Sequence, residues 1–431
     1  MKQIRLTAPQ STIHAVVTLP SSKSICNRAL IMHALSGAED SIANLSDCDD
    51  TRVMLRALQN MPEIIDIQAA GTAMRFLTAF LSISNGEHKL TGTDRMKQRP
   101  IRILVDALRS LGADITYTER EGFPPLRIKG CTLQQHEVEL PGNVSSQYIS
   151  ALLLIGPMLP NGLHLTLTGD IVSRPYINLT LQLMKEFGAA ASWKSDNELL
   201  VLSQPYHSIP FTVESDWSAA SYWYEIVALS EKASVTLPAL YQNSYQGDAK
   251  VAELFTQLGV STRFIEENEN PDDKEGTNQK NKKIILERVE RTIDRMEYDF
   301  VNQPDLAQTF VVTCALLSIP FRFCGLQSLK IKETDRIAAL IKELRKLGYV
   351  LKEEAGSVLS WDGERCESDV RPAIDTYEDH RMAMSFAPAI LRIPNLWINN
   401  PQVVSKSYPH YWENLAAVGF GIEETVTFEK I

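Results

Sequence analysis

The sequence predicts an α/β protein of two domains, each assembled from copies of one helix-then-strand unit. Three observations lead there. At 431 residues the chain is too long for a single compact core. Apolar residues make up 44% and charged residues 22%, the proportions of an ordinary globular protein. A segment with helical apolar spacing that ends in Leu-Gly or Phe-Gly and enters a short strand recurs along the chain.

The copies are LVDALRSLGADITY (104–117), LQLMKEFGAAASW (181–193), VAELFTQLGVSTRF (251–264) and IKELRKLGYVLK (341–352). A weaker copy is WENLAAVGFGIEE (412–424), and VMLRALQNMP (53–62) is a degenerate one. Apolar residues such as Leu104, Ala107, Leu108 and Leu111 fall on one helical face. The glycine that follows suits a left-handed helix cap, which a residue carrying Cβ adopts only at a cost. Irregular spacing between copies excludes a solenoid and favours a few copies in each of two globular domains. Between two strands of one copy, residues 266–283 (EENENPDDKEGTNQKNKK) contain no large apolar side chain and predict an exposed, mobile loop.

Net charge is −10 without a long basic run, which argues against a nucleic-acid surface, so any anion site must gather its Arg and Lys locally. The six cysteines show no CxxC spacing and the eight histidines no ligand spacing, so neither a disulfide framework nor a metal centre is expected. MKQIRLTAP lacks an apolar signal region, and the longest apolar runs are too short to cross a bilayer; a cytoplasmic protein with no membrane partner is expected.

Several segments place small polar or charged residues directly before an apolar helical pattern: PSSKSICNRALIMHAL, AAGTAMRFLTAFL, VSSQYISALLLI, VSRPYINLTLQLM, KETDRIAALIKEL, EDHRMAMSFA and SKSYPHYWENLA. A helix start offers free N–H groups and partial positive charge to an anion. Lys23, Arg28, Arg75, Arg336, Arg381 and Lys406 stand where such a site would use them. Any one motif is explained as well by N-capping and surface charge. Seven in one acidic chain point to a polyanionic ligand. The glycines of a P-loop and a GxGxxG turn are both missing, which argues against nucleotide kinases and dinucleotide enzymes. Among the carboxylates, Asp305 and Asp335 read equally as helix-start residues, Glu333 as the ion-pair partner of Lys332, and His380 as a structural neighbour of Asp379.

Taken together, SSKSICNRAL, AGTAMRF, RMKQRP, PPLRI, VSSQYISALL, GDIVSRPYI, NSYQGD, KETDRI, EDHRMAM and SKSYP resemble the 5-enolpyruvylshikimate-3-phosphate synthase family of enolpyruvyl transferases. The resemblance implies two similar domains of repeated βαβαββ units with buried helices and a substrate cleft between them. It assigns 21–237 to an inserted domain on the shikimate-3-phosphate side. It assigns 1–20 and 238–431 to a terminal domain that completes the phosphoenolpyruvate site. Lys23, Ser24, Arg28, Ser145, Ser146, Gln147, Ser173, Tyr176, Asp305 and Lys332 would bind shikimate 3-phosphate. Lys23, Gly71, Arg99, Gln147, Arg336, Arg381 and Lys406 would bind phosphoenolpyruvate. Asp305, Glu333 and Lys23 would carry the catalysis, with no cofactor or metal, in a monomer.

Four departures accompany the resemblance. Ala69 and Ala70 precede Gly71 in place of Asn-Ala, Phe76 follows Arg75 in place of Pro or Leu, and Ser328 replaces Asn. The stretch between Met61 and Gly71 is also short, predicting a trimmed first repeat. The alternatives are a UDP-N-acetylglucosamine enolpyruvyl transferase and a non-catalytic anion-binding relative. The former normally carries Cys or Asp in the loop corresponding to TDRMKQRP. It is disfavoured because that loop lacks Cys, although it has Asp94, and because SSKS and KETDR point to shikimate phosphate. An RNA-end enzyme built from similar repeats conflicts with the acidic charge. Gly71, with no side chain to crowd the pocket, predicts competition between glyphosate and phosphoenolpyruvate.

Overall fold

A computed structural model describes residues 2–37, 42–266 and 282–426. The chain divides into two compact units, Ser21–Val213 and a unit formed by Met1–Pro20 with Glu214–Ile431. We call these the inserted and the terminal unit.

Both are built from one module of strand, helix, strand, helix and a closing hairpin. In the inserted unit, Glu137–Pro141, Ser146–Ile155, Leu163–Thr168, Arg174–Glu186, Ala191–Trp193 and Glu198–Val201 make one module. Its first two strands pair in parallel and the hairpin adds antiparallel strands, giving a four-stranded sheet. Ile64–Asp66, Gly71–Ile83, Glu87–Thr91, Arg102–Ser110, Asp114–Tyr117 and Leu126–Lys129 make a second. The third has the helices Lys23–Ser36 and Asp49–Asn60 but only two short parallel strands, Ile42–Ala43 and Phe211–Thr212. No closing hairpin follows Asn60, because the next module begins at Ile64. This is the trimmed repeat, and it takes the form of a missing hairpin.

The terminal unit holds three four-stranded sheets among its described residues. One module runs from Met296–Asp299 to Val358–Trp361. Another starts with Ala373–Ile374 and is closed by the N-terminal strand Lys2–Thr7, which pairs with Gly421–Val426. In the third, Ile13–Val16 pairs in parallel with Ala233–Pro238, and the helix between them is Trp217–Leu229. That pairing corrects the expected boundary. Residues 214–237 belong to the terminal unit, because Trp217, Tyr222, Trp223 and Tyr224 are buried with Phe255 and Phe310 in its core. The second crossing therefore lies at 213/214, not 237/238.

Each module uses two kinds of helix. The first helix is enclosed on most or all sides: every residue of Ala307–Leu316, all but Ser218 of Trp217–Leu229, and Ile25 through Met32 of Lys23–Ser36 are buried. The second is amphipathic, as in Arg102–Ser110, where Leu104, Val105, Ala107 and Leu108 face inward. The repeated Leu/Phe-Gly signature belongs to this second helix. Gly112, Gly188, Gly259, Gly348 and Gly419 all take positive φ, and in the degenerate copy Met61 takes that place at φ 39°. Of the polar loop expected at 266–283, residues 267–281 lie outside the described residues. The flanking strands Val260–Glu266 and Lys282–Arg288 pair with each other.

Candidate functional site

The buried helices of the terminal unit fix a dense charge network. Asp305 lies in the turn before Ala307–Leu316. Its Oδ2 accepts from Arg381 Nη2 at 2.8 Å, its Oδ1 accepts from Arg336 Nη1 at 3.3 Å, and Lys332 Nζ stands 3.6 Å away. Arg336 is the first residue of its helix and donates to three carboxylates. Nε reaches Asp379 Oδ2 at 2.7 Å, and Nη2 reaches Glu333 Oε2 at 3.0 Å and Asp379 Oδ1 at 3.3 Å. Lys406 Nζ donates to Glu333 Oε1 at 2.7 Å. Burial works against the Arg336 charge, but Asp379, Glu333 and Asp305 outweigh it and raise the guanidinium above its usual range. Burial draws the Lys332 ammonium below the lysine range, with Asp305 opposing.

The neighbours differ from those the sequence suggests. Glu333 pairs with Arg336 and Lys406, whereas the adjacent Lys332 turns to Asp305. Lys332 has extended backbone, where successive side chains point to opposite sides. Asp335 does cap its helix, accepting from the Ala338 N–H at 3.1 Å. Asp379, Tyr222 and Asp248 are members that sequence reasoning missed. Asp379 is fully buried, caps Arg381 N at 2.9 Å and pairs with Arg336. Tyr222 Oη lies 3.3 Å from Arg381 Nη1. Asp248 accepts from Ser218 Oγ, and burial and the charge of Asp305 push its carboxyl up to about 7. His380 is 1% exposed, with Nδ1 3.8 Å from Asp379 Oδ1.

In the inserted unit, Lys23 begins its helix and its Nζ lies 3.2 Å from Asp50 Oδ2, a partner that lies too far along the chain for local spacing to reveal. Ser24 supplies a backbone carbonyl to Arg28. Arg28 is 3% exposed, and its guanidinium donates to Thr180 Oγ1 at 2.7 Å, Ser150 Oγ at 3.1 Å and the Tyr176 carbonyl at 3.3 Å. Burial lowers its pKa to about 10. Ser145 caps the Ser146–Ile155 helix, and Gln147 Nε2 donates to Thr72 Oγ1 at 3.1 Å. Ser173 sits at the start of Arg174–Glu186 with φ 55°, a left-handed conformation uncommon for serine. Gly71 opens the helix Gly71–Ile83, and the Arg99 guanidinium lies against it: a Cβ on Gly71 would stand 2.5 Å from Arg99 Nη1. Arg75 is turned inward, donating to the Gly71 carbonyl at 3.1 Å and the Pro100 carbonyl at 3.2 Å. It ties the helix start to the Arg99 loop, which accounts for its guanidinium without a ligand.

The two substitutions beside Gly71 have visible outcomes. Ala70 is the N-cap and offers no side-chain hydrogen bond to the helix start. Phe76 is 1% exposed with the Arg28 guanidinium 5.3 Å from its ring centroid, and the helix still starts at Gly71. Among the described residues no group of three or more His, Cys, Asp and Glu could hold a metal ion. No described helix is long and apolar enough to cross a membrane.

The chain matches the family model for EPSP synthase (3-phosphoshikimate 1-carboxyvinyltransferase) over residues 7–64 and 60–415. It is 62% identical to a 3-phosphoshikimate 1-carboxyvinyltransferase of Bacteroides fragilis over 418 residues, covering 97% of this chain and 98% of the relative. A relative of the same name from Photobacterium damsela is 35% identical, covering 94% and 97% respectively. A solved structure of EPSP synthase from Acinetobacter baumannii superposes with TM-score 0.76 at 22% identity, covering 99% of this chain and 100% of that one.

Proposed function

This chain belongs to the EPSP synthase (3-phosphoshikimate 1-carboxyvinyltransferase) family, and from that premise we propose that it transfers the enolpyruvyl group of phosphoenolpyruvate to the 5-hydroxyl of shikimate 3-phosphate. One observation carries the residue assignment: Arg336 joins Asp305 to Glu333, with Lys332 and Arg381 also on Asp305 and Lys406 on Glu333.

That arrangement suits an addition–elimination. Arg336, Arg381 and Lys406 supply fixed positive charge to the phosphate and carboxylate of phosphoenolpyruvate, at no reorganisation cost during reaction. Asp305, assigned with Lys332 to the shikimate ring, takes the proton of the 5-hydroxyl as oxygen attacks C2. Glu333 and Lys406 handle the C3 proton together: an ammonium proton of Lys406 reaches C3 through the Glu333 carboxylate during addition and returns from the methyl group during elimination. Phosphate departs with the proton first taken by Asp305; Lys23 assists. In the inserted unit, Lys23, Ser24, Arg28, Ser145, Ser146, Gln147, Ser173 and Tyr176 serve shikimate 3-phosphate, while Gly71, Arg99 and Gln147 contribute to phosphoenolpyruvate. The reading assigns no metal or organic cofactor and takes the enzyme as a cytoplasmic monomer.

The test is phosphate release with shikimate 3-phosphate and phosphoenolpyruvate together, with UDP-N-acetylglucosamine as the alternative acceptor. Release that depends on shikimate 3-phosphate supports the reading. Release only with the nucleotide sugar would replace the substrate, and release with neither would leave an anion-binding protein.

A further inference from the structure

The turn before Arg381 is held in an unfavourable conformation by residues outside the charge network. The Asp379 N–H donates to the Thr376 carbonyl at 2.8 Å, closing a four-residue turn. Its central residues, Tyr377 and Glu378, have φ 53° and 57°. Two successive positive φ values mark a type I′ turn, which favours Asn-Gly because a Cβ is strained there. Neither residue here is Gly or Asn. Such a conformation persists when its surroundings over-determine it.

The surroundings are specific. Tyr377 Oη donates at 2.5 Å to Oε1 of Glu343, a side chain with no exposure. The other Glu343 oxygen accepts from the Asp375 N–H at 3.0 Å and from Lys346 Nζ at 2.6 Å. Glu343 and Lys346 stand on the helix that begins with Arg336. One rigid helix thus presents Arg336 to Asp379 at its start and anchors the turn carrying Asp379 near its end. Asp379 in turn caps Arg381.

We propose that Glu343 and Tyr377 are positioning residues for phosphoenolpyruvate binding: their hydrogen bond locks the 376–379 turn and so sets Asp379, Arg336 and Arg381. The inference rests on the assignment of Arg336 and Arg381 to phosphoenolpyruvate.

Steady-state kinetics of Tyr377→Phe and Glu343→Gln test it. In Tyr377→Phe the KM for phosphoenolpyruvate should rise about tenfold, the size of one lost hydrogen bond to a charged group. The KM for shikimate 3-phosphate should stay within about twofold and kcat within about threefold, the pattern of lost ground-state binding. Adding Glu378→Gly, which takes positive φ without strain, should restore most of the KM. An unchanged KM for phosphoenolpyruvate, equal loss toward both substrates, or no recovery with glycine would overturn the proposal. If Glu343→Gln does not fold, Tyr377→Phe with its glycine rescue decides alone. If the wild type itself releases no phosphate, the functional reading fails. The positioning claim is then decided by the rise in Tm that phosphoenolpyruvate induces. That rise should be smaller in Tyr377→Phe and recovered by glycine. An equal rise in all variants, or none in the wild type, overturns it.

Discussion

Arg336 and Asp379 form a two-point pair inside the terminal unit, with Nε–Oδ2 at 2.7 Å and Nη2–Oδ1 at 3.3 Å and side-chain exposures of 2% and 0%. Its geometry needs a planar fork, because the same guanidinium also serves Glu333 and Asp305. Removing one partner of a buried pair costs about 3–5 kcal/mol, mostly from the stranded charge. Arg336→Ala should lose that much stability in denaturant titration. Arg336→Lys should recover little of it, since three donors on one nitrogen cannot replace four bonds made from three separated nitrogens. A lysine variant as stable as wild type would refute the role of the fork.

The surroundings of Asp305 make a conservative test possible. Asp305→Asn keeps the shape and, with its amide oxygen toward Arg381, that contact, while it removes the proton acceptor and the acceptor facing Arg336 and Lys332. We expect kcat to fall about 10²–10⁴-fold, the usual contribution of a general base. Phosphate release measures it, with circular dichroism showing retained fold. Activity within about threefold of wild type would take Asp305 out of the base role.

Gly71 is fixed by Arg99. Gly71→Ala places a methyl group 2.5 Å from Arg99 Nη1, so the guanidinium must shift. A displaced clamp should raise the KM for phosphoenolpyruvate by roughly tenfold, with little change toward shikimate 3-phosphate. In the wild type, glyphosate should compete with phosphoenolpyruvate, and Gly71→Ala should weaken its inhibition. Inhibition that does not depend on phosphoenolpyruvate concentration would contradict the assignment of this pocket.

Glu225 predicts a pH effect on stability. The side chain has no exposure, and burial raises its carboxyl well above the ordinary value of 4.5. The folded state therefore keeps this proton after the unfolded chain has lost it. The folded state binds more protons, so stability falls as pH rises from 4.5 toward the folded pKa. Glu225→Gln removes that slope. Thermal melts from pH 4.5 upward should show the variant gaining on wild type as pH increases. Parallel melting curves would show that Glu225 does not titrate this way.

The amphipathic helices and their terminal glycines were legible because both signals are local: a few residues fix the apolar face and the cap. The helix Trp217–Leu229 gives no such signal, since burial on nearly every side erases periodicity. The boundary at 237/238 rests on the family resemblance alone, and the packing of this helix into the terminal core moves it to 213/214. Site residues at helix starts were legible one by one, but their partners were not. Lys23 with Asp50 and Arg336 with Asp379 are joined by packing, which no local spacing reports. Glu333 shows the converse: its nearest neighbour in sequence, Lys332, bonds another carboxylate.

The missing hairpin has a consequence for local opening. Ile42–Ala43 and Phe211–Thr212 form a two-stranded sheet with a ladder only two residues long, whereas the other sheets of the described residues have four strands each. Backbone amides there have few neighbours to break with, so hydrogen exchange should be fast in this sheet and slow in the others. Phe211–Thr212 also leads directly into the crossing at 213/214. The shortest ladder thus adjoins the point where the chain leaves the inserted unit, and opening it would add Phe211 and Thr212 to the connecting segment.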